Sequence, residues 1–228
     1  MEVPKHIAFS LDDISDWCSK NGISIDKGVY AYFNLIPQLM YLQVKNQVPI
    51  LTIYLLPDYI EKSGDKYLIF CDSMGNFFNG MANNEIITKH KIKISVFGKW
   101  YNLPGKAVEA MKKVIESTKE YDSFFFNFCI NYDGQEEIVD ACKLIAKQVE
   151  LGKIYPEMIT KETIKENIYS SYFLPPDVIV VYGERKLGGF LMWDSPKSKI
   201  VFADKSFIDF KVEDFEKLNL LCVKSPTP

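Results

Sequence analysis

The side chains with the clearest capacity for chemistry are five cysteines, and their arrangement argues against a metal or disulfide site. Their number is odd, and no two of them stand at the short spacings that hold a metal ion. Because the sequence also shows no signal peptide, it predicts reduced thiols in a cytoplasmic protein. Cys129 and Cys142 stand among apolar residues and are predicted to be small core residues. The cysteines are Cys18, Cys71, Cys129, Cys142 and Cys222.

Other candidate groups have simpler explanations than catalysis. His6 begins an apolar run, where a packed or surface histidine is a better explanation than a catalytic base. The basic run at residues 89–93 is typical of a solvated strand end, and Gly188 and Gly189 lack the strand–turn–helix context of a phosphate-binding loop. The formal net charge is −3, so the protein has no overall basic field that would attract nucleic acid.

Strands and helices alternate along the chain and would position these groups. The apolar, β-branched run at residues 50–55 is typical of a buried parallel strand. Pro37 is expected to kink its helix or mark an irregular turn. No window reaches the eighteen apolar residues of a membrane-spanning helix. The predicted strands are residues 7–9, 50–55, 92–97, 124–130, 177–182 and 199–203, and the predicted helices are residues 30–45, 106–119 and 135–151.

This alternation predicts one α/β domain over residues 1–222, with a mainly parallel central sheet flanked by helices. A chain of 228 residues is long enough to bury the core of such a domain. Residues 223–228 are predicted to be a disordered tail.

Four stretches in sequence order resemble the cis-prenyltransferase family. They are the opening strand at residues 4–12, a second strand at 51–54, an Asn-Tyr segment at 128–141 and a closing signature at 176–193. The resemblance implies the family's fold and its reaction, the condensation of isopentenyl diphosphate onto an allylic diphosphate with cis geometry. It also implies Mg²⁺ held by an aspartate and a glutamate, with arginines and backbone amides holding the diphosphates.

Several of the family's charge-handling positions are changed here. Asp12 stands at the metal-binding aspartate, but Asp16 replaces an arginine and Lys199 replaces the metal-binding glutamate. In the closing signature, Val181 and Lys186 replace arginines. Scaffold residues are retained: Trp17, Gly22, Gly28, Thr52, Tyr54, Asn131, Tyr132, Gly134, Leu187, Phe190 and Trp193.

This pattern of loss favours a non-catalytic accessory subunit of a heteromeric enzyme that makes long-chain polyprenyl diphosphate, similar to the Nogo-B receptor type. In this hypothesis Asp12 is a vestige, the chain binds no cofactor by itself and Mg²⁺ is bound in the catalytic partner. The partner is that catalytic subunit or a second copy, and membrane lipid products are contacted peripherally. The resemblance implies an interface after the closing signature, formed by Phe190, Trp193, Ile200 and Phe202.

Two alternatives remain open. A divergent active prenyltransferase would act on isoprenoid diphosphates, with Gly28, Arg185 and Lys186 on the diphosphate and Asp12 essential. A lipid-binding protein would use the family's apolar tunnel, although the aromatic run at residues 124–126 is more typical of core. Asp12 is as well explained by a helix N-cap as by a vestigial metal ligand.

Overall fold

The structure is a computed structural model that describes residues 3–57 and 64–221. Within these residues the sheet has the strand order β3-β4-β2-β1-β5-β6, and every pairing is parallel. The predicted single α/β domain is therefore confirmed. The strands are β1 (His6–Ser10), β2 (Ile50–Pro57), β3 (Ile92–Phe97), β4 (Phe124–Tyr132), β5 (Val178–Val181) and β6 (Lys199–Phe202).

Helices of the described residues include the three that the sequence pattern predicts. The helix predicted at residues 30–45 begins earlier, at Ile25, and continues through Pro37 to Lys45 without an irregular turn. The predicted tail lies outside the described residues. The helices are α1 (Ile14–Asn21), α2 (Ile25–Lys45), α3 (Gly64–Met81), α4 (Glu85–Lys89), α5 (Gly105–Thr118), α6 (Gly134–Glu150), α7 (Lys161–Asn167) and α8 (Val212–Leu221).

Alternate residues of each strand pack on opposite faces of the sheet. Ile7 and Phe9 of β1 join the larger core, which also contains buried residues from α1, α2, α3, α5 and α8. Ala8 joins a smaller cluster that is completed by Phe173 and Phe190 from the loops on either side of β5. α6 lies on this second face, where Glu137 accepts a hydrogen bond from the Tyr132 hydroxyl at 2.6 Å.

The order of the strands reverses at β1. The chain leaves β1 for β2 on one side, whereas β5 and β6 are added on the other, with Ser10 level with both Tyr54 and Val181. In open parallel sheets the loops at such a point separate and leave a crevice beyond the carboxyl ends of the strands. The loops after β1 and β5 therefore define where a ligand would bind.

His6 is buried, as the packed-residue explanation predicts. Its Nδ1 lies 2.6 Å from the Leu174 carbonyl oxygen, which only accepts, so Nδ1 carries the proton. Nε2 then accepts from the Thr52 hydroxyl at 2.8 Å, and Asn127 donates to the same hydroxyl at 3.2 Å. Burial lowers the pKa of His6 to about 4, so the ring is neutral at physiological pH.

The two cysteines predicted to be core residues differ. Cys129 is fully buried on β4, as predicted. Cys142 is exposed, and that prediction is wrong, because α6 buries Ala141 and Ile145 on one face and directs the next position to solvent. None of the helices in the described part of the chain is long and apolar enough to cross a membrane.

Candidate functional site

A cleft of about 1170 Å³ opens at the carboxyl ends of β1 and β5. Its walls come from the loops after β1, β5 and β6, from the end of β2, from α1 and from the first parts of α2 and α3. This is the position at which a reversed strand order leaves room for a ligand. The cleft is therefore the candidate active site.

Asp12 lies in this cleft, two residues beyond the end of β1. Its Oδ1 accepts a hydrogen bond from the Phe207 backbone N–H at 2.9 Å, and no other hydrogen bond to its carboxylate occurs among the described residues. Gly183 has φ +80°, and a side chain there would place its Cβ 2.8 Å from the Cβ of Asp12. A glycine is thus required for the loop after β5 to approach Asp12 this closely.

Asp13, not Asp12, caps the helix that follows. Its side chain accepts from the Ser15 backbone N–H at 2.8 Å, in the usual geometry of an N-cap. The N-cap explanation offered for Asp12 is therefore wrong by one residue. Asp12 keeps one carboxylate oxygen for a cation or a ligand.

Cationic side chains stand at the mouth of the cleft. Arg185 forms an ion pair with Asp204, and Lys186 forms one with Glu184. Both pairs are mostly exposed, so each contributes about 0–1 kcal/mol and can be exchanged for a ligand at small cost. Arg185 and Lys186, which the sequence analysis names as possible diphosphate ligands, therefore line the same cleft as Asp12.

Three further cations of the cleft, Lys20, Lys66 and Lys205, are missed by sequence reasoning. Lys20 lies one helical turn after Asp16 on α1, a spacing that could have identified it. Lys66 comes from the start of α3. No local signal connects it to Asp12, because only the tertiary fold brings α3 to this cleft.

Six carboxylates and five cations line the cleft, which gives a formal balance of −1. A diphosphate, which is itself strongly anionic, would therefore meet little net attraction unless it brought a counter-ion. The carboxylates are Asp12, Asp13, Asp16, Glu184, Asp204 and Asp209, and the cations are Lys20, Lys66, Arg185, Lys186 and Lys205.

Phenols supply neutral donors to the same space. Burial raises the pKa of Tyr67 to about 12, and burial together with Asp12 and Asp13 raises the pKa of Tyr32 well above its usual value. Both hydroxyls therefore stay protonated at neutral pH. The Tyr32 hydroxyl lies 3.5 Å from the Asp12 carbonyl oxygen.

Gly28 is buried in the contact between α1 and α2 and is not among the residues that line the cleft. A Cβ at this position would lie 2.1 Å from the Sγ of Cys18, so helix packing alone requires a glycine. Its N–H bonds within α2 to the Ser24 carbonyl oxygen at 3.1 Å. The role of Gly28 in diphosphate binding stays a prediction, with a packing explanation beside it.

Lys199, at the family's second metal position, lies at the amino ends of the strands, whereas Asp12 lies beyond their carboxyl ends. It begins β6, level with Val178, whereas Asp12 follows the carboxyl end of β1. The four residues from Lys199 to Phe202 alone span about 10 Å along the strand. Within one chain, these two metal positions of the family do not meet.

The predicted interface residues divide between core and surface. Phe190 is 0% exposed and stacks on Tyr54 with ring centroids 4.9 Å apart, so it cannot offer a contact surface. Its place in the predicted interface is corrected, since an apolar residue suits a core as well as an interface. Trp193 is half-buried, and Ile200 and Phe202 are partly exposed on the edge strand β6.

The site provides little for a permanently bound metal. Among the described residues, no three His, Cys, Asp or Glu side chains lie close enough together to hold a metal ion. Mg²⁺, however, is often held by one or two carboxylates together with substrate phosphates. The open oxygen of Asp12 fits a Mg²⁺ that arrives with a diphosphate.

The fold and the cleft define a parallel α/β protein with a candidate ligand site at the point where the strand order reverses. Residues 12–220 match the family described as putative undecaprenyl diphosphate synthase, and the chain belongs to this family. Among relatives, an isoprenyl transferase of Thermotoga maritima is 28% identical over 94% of this chain and 91% of its own length. The tritrans,polycis-undecaprenyl-diphosphate synthase (geranylgeranyl-diphosphate specific) of Picrophilus torridus is 26% identical over 93% of this chain and 84% of its own.

Solved structures show the same fold. The lavandulyl diphosphate synthase of Lavandula x intermedia, in complex with dimethylallyl diphosphate, superposes with a TM-score of 0.90 at 22% identity, covering 98% of this chain and 97% of that one. A probable undecaprenyl diphosphate synthase of Campylobacter jejuni gives a TM-score of 0.76 at 19% identity, covering 100% and 99%.

These relatives correct the functional prediction. Proteins that align along nearly the whole chain are named as synthases or transferases, and the prediction of a non-catalytic accessory subunit is wrong. Lysines from other elements also line the cleft, so the changed arginine positions do not by themselves exclude an active site. The alternative of a divergent, active prenyltransferase is the better supported one.

Proposed function

We propose that this chain is an active prenyltransferase that joins isoprenoid diphosphates in the cleft at the carboxyl ends of β1 and β5. The observation that carries the proposal is Asp12, which the Phe207 amide fixes in the cleft while one carboxylate oxygen stays open. The names of the full-length relatives support it, as does the dimethylallyl diphosphate bound by a synthase of the same fold.

In this proposal the allylic diphosphate lies among the cations of the cleft mouth. Arg185 and Lys186 exchange exposed carboxylate partners for phosphate oxygens, and Lys20 and Lys66 add charge from α1 and α3. Bound Mg²⁺ supplies charge neutralisation of the leaving diphosphate. Asp12 would hold that ion against the substrate.

The reaction breaks the allylic C–O bond, releases diphosphate, forms a C–C bond to the alkene of the second substrate and releases one proton. The buried phenol of Tyr32 and the half-buried phenol of Tyr67 stay neutral, and each can donate to a diphosphate without adding charge. The apolar inner residues of the cleft exclude water from the cationic centre that forms.

The test is to assay the purified chain alone with labelled isopentenyl diphosphate, an allylic diphosphate and Mg²⁺. Asp12→Asn should lower turnover by about 100-fold or more, because a charge aimed at the reacting centre is lost. Asp13→Asn is the matched control, since it removes the adjacent charge and keeps a good N-cap, and should leave turnover close to that of the parent. Equal loss in both variants, or an inactive parent chain, would refute the proposal.

The proposed assembly is a homodimer. Among the residues that the structure describes, sixteen large hydrophobic residues are exposed, and eight of these lie between residues 139 and 174, on α6 and the segment that follows it. Such a concentration is unusual for a surface that faces water and supports a partner on this side. A second copy of the chain is the partner that the proposal adopts.

A further inference from the structure

The inner end of the cleft is apolar and lies between α2 and α3. Val29 of α2, Leu55 and Leu56 of β2 and Phe70 of α3 line it. The carboxylates Asp12 and Asp13 line the same cleft from the loop after β1. A prenyl diphosphate bound with its diphosphate at Asp12 would therefore extend its hydrocarbon chain towards Phe70.

Beyond Phe70 the space between the two helices is filled with aromatic rings. Phe33 of α2 contacts Phe70 with ring centroids 5.3 Å apart and contacts Phe77 of α3 at 5.2 Å. The contacts continue from Phe77 to Phe78 at 5.3 Å and from Phe78 to Phe128 of β4 at 4.9 Å. We call Phe33, Phe70 and Phe77 the phenylalanine closure.

These spacings leave no channel for a longer chain. Centroid separations of about 4.5–7 Å are those of aromatic rings in direct contact. A hydrocarbon chain between two rings would have to separate them by two carbon contacts, about 7–8 Å. Phe33 is also almost fully buried, so it cannot turn outward without disturbing the core.

We propose that the phenylalanine closure ends the substrate cleft, so that the enzyme accepts a short allylic diphosphate and releases a short product. This inference rests on the proposed function and specifies its substrate class. It separates the chain from the relatives whose names specify an undecaprenyl product. Chain length would thus be set by packing between α2 and α3, not by the diphosphate end of the site.

The first experiment is a binding series at equilibrium, with dimethylallyl, geranyl, farnesyl and geranylgeranyl diphosphates titrated into the wild-type chain with Mg²⁺. Each isoprene unit that finds an apolar pocket should raise the affinity by about tenfold or more. We expect the rise to stop after the geranyl compound. A rise that continues to the geranylgeranyl compound would overturn the inference.

The second experiment identifies the products of each allylic substrate with isopentenyl diphosphate. Short products only are expected. Long polyprenyl products would overturn the inference while leaving the proposed function intact. If none of the four diphosphates bound or reacted, the proposed function would fall as well, so the two failures are distinguishable.

Single substitutions test whether the phenylalanine closure limits the length of the substrate and of the product. Phe77→Ala, which opens space without touching the polar end, should restore the rise in affinity for farnesyl diphosphate and lengthen the product. Phe125→Ala is the matched control, because Phe125 is also half-buried but packs on Phe173, away from the cleft. The same change in product length in both variants would overturn the assignment. Should Phe77→Ala fail to fold, Phe70→Ala opens the same end from a half-buried position.

Discussion

At the scale of residues, Asp12 and Asp13 are adjacent carboxylates with different partners. Family resemblance identifies Asp12, but the sequence explains it equally well as a metal ligand and as a helix N-cap. The structure assigns the N-cap to Asp13 and bonds Asp12 to the Phe207 amide instead. Lys66 could not be predicted, since nothing near it in sequence indicates the cleft. Phe190 could not be assigned either, because burial in a core and burial in an interface require the same apolar side chain.

His6 makes the stability of the protein depend on pH. Its folded-state pKa of about 4 is below the ordinary 6.5, so the unfolded chain binds more protons between these values. Stability is fully present above 6.5 and is lost as the pH falls towards 4. The largest loss from this group is about 3 kcal/mol, since each pKa unit corresponds to 1.36 kcal/mol.

Urea unfolding across this window would measure the effect, with His6→Gln as the comparison. Asp194, Asp177 and Lys165 also act on the pKa of His6. Because both proteins contain these groups, their own contributions to the pH dependence cancel when the stability of the variant is subtracted from that of the parent. We expect the parent chain to lose stability more steeply on acidification than the variant. If the free energy of unfolding falls equally with pH in both proteins, the buried His6 ring does not cause the loss of stability in acid.

At the scale of elements, hydrophobic runs predict the strands well because β1, β2, β4 and β5 are largely buried in the parallel sheet, whereas the edge strand β6 is mostly exposed. α3 escapes prediction, since glycines at 64, 75 and 80 lower its helix propensity and its apolar residues are spread around the axis. Pro37 lies inside α2 without interrupting it. Its missing N–H costs α2 one hydrogen bond, but the helix buries a long apolar face that outweighs the loss.

The contact between α1 and α2 supplies a test of Gly28. Gly28→Ala should destabilise the protein by about 1–3 kcal/mol, because its Cβ would lie 2.1 Å from the Cys18 Sγ. Adding Cys18→Ala removes that sulfur, and the next nearest atom, Cγ1 of Ile14, is at 3.4 Å. The double variant should therefore recover most of the stability in thermal unfolding.

The same pair of variants separates packing from binding. If the double variant regains both stability and prenyl diphosphate affinity, Gly28 serves the helix contact. Recovery of stability without recovery of affinity would instead support the predicted role of Gly28 at the diphosphate. A double-mutant cycle measures both quantities on the same proteins.

At the scale of the whole molecule, alternating strands and helices predict the parallel sheet, but not its strand order. The position of the cleft depends on β5 joining the sheet beside β1, a pairing between residues more than 160 positions apart in sequence. Local patterns carry no information on such a pairing. The candidate site could therefore be named from the sequence only where single residues match the family.

The homodimer gives a prediction at this scale. Leu144→Glu on α6 should shift the protein towards monomer, because it places a charge on a side chain that is 52% exposed in the single chain. Leu68→Glu, 55% exposed on α3 on the other side of the sheet, is the matched control and should leave the assembly unchanged. Light scattering after size-exclusion chromatography measures the mass, and equal behaviour of both variants would contradict the assigned face.

The hydrogen bond from the Phe207 amide to Asp12 joins residues 195 positions apart. During synthesis on the ribosome, the aspartate exists long before the amide that fixes it. At about 5–20 residues per second, the interval is about 10–40 s. A nascent chain therefore has an incomplete cleft from the time that Asp12 is synthesised until the segment that contains Phe207 has emerged.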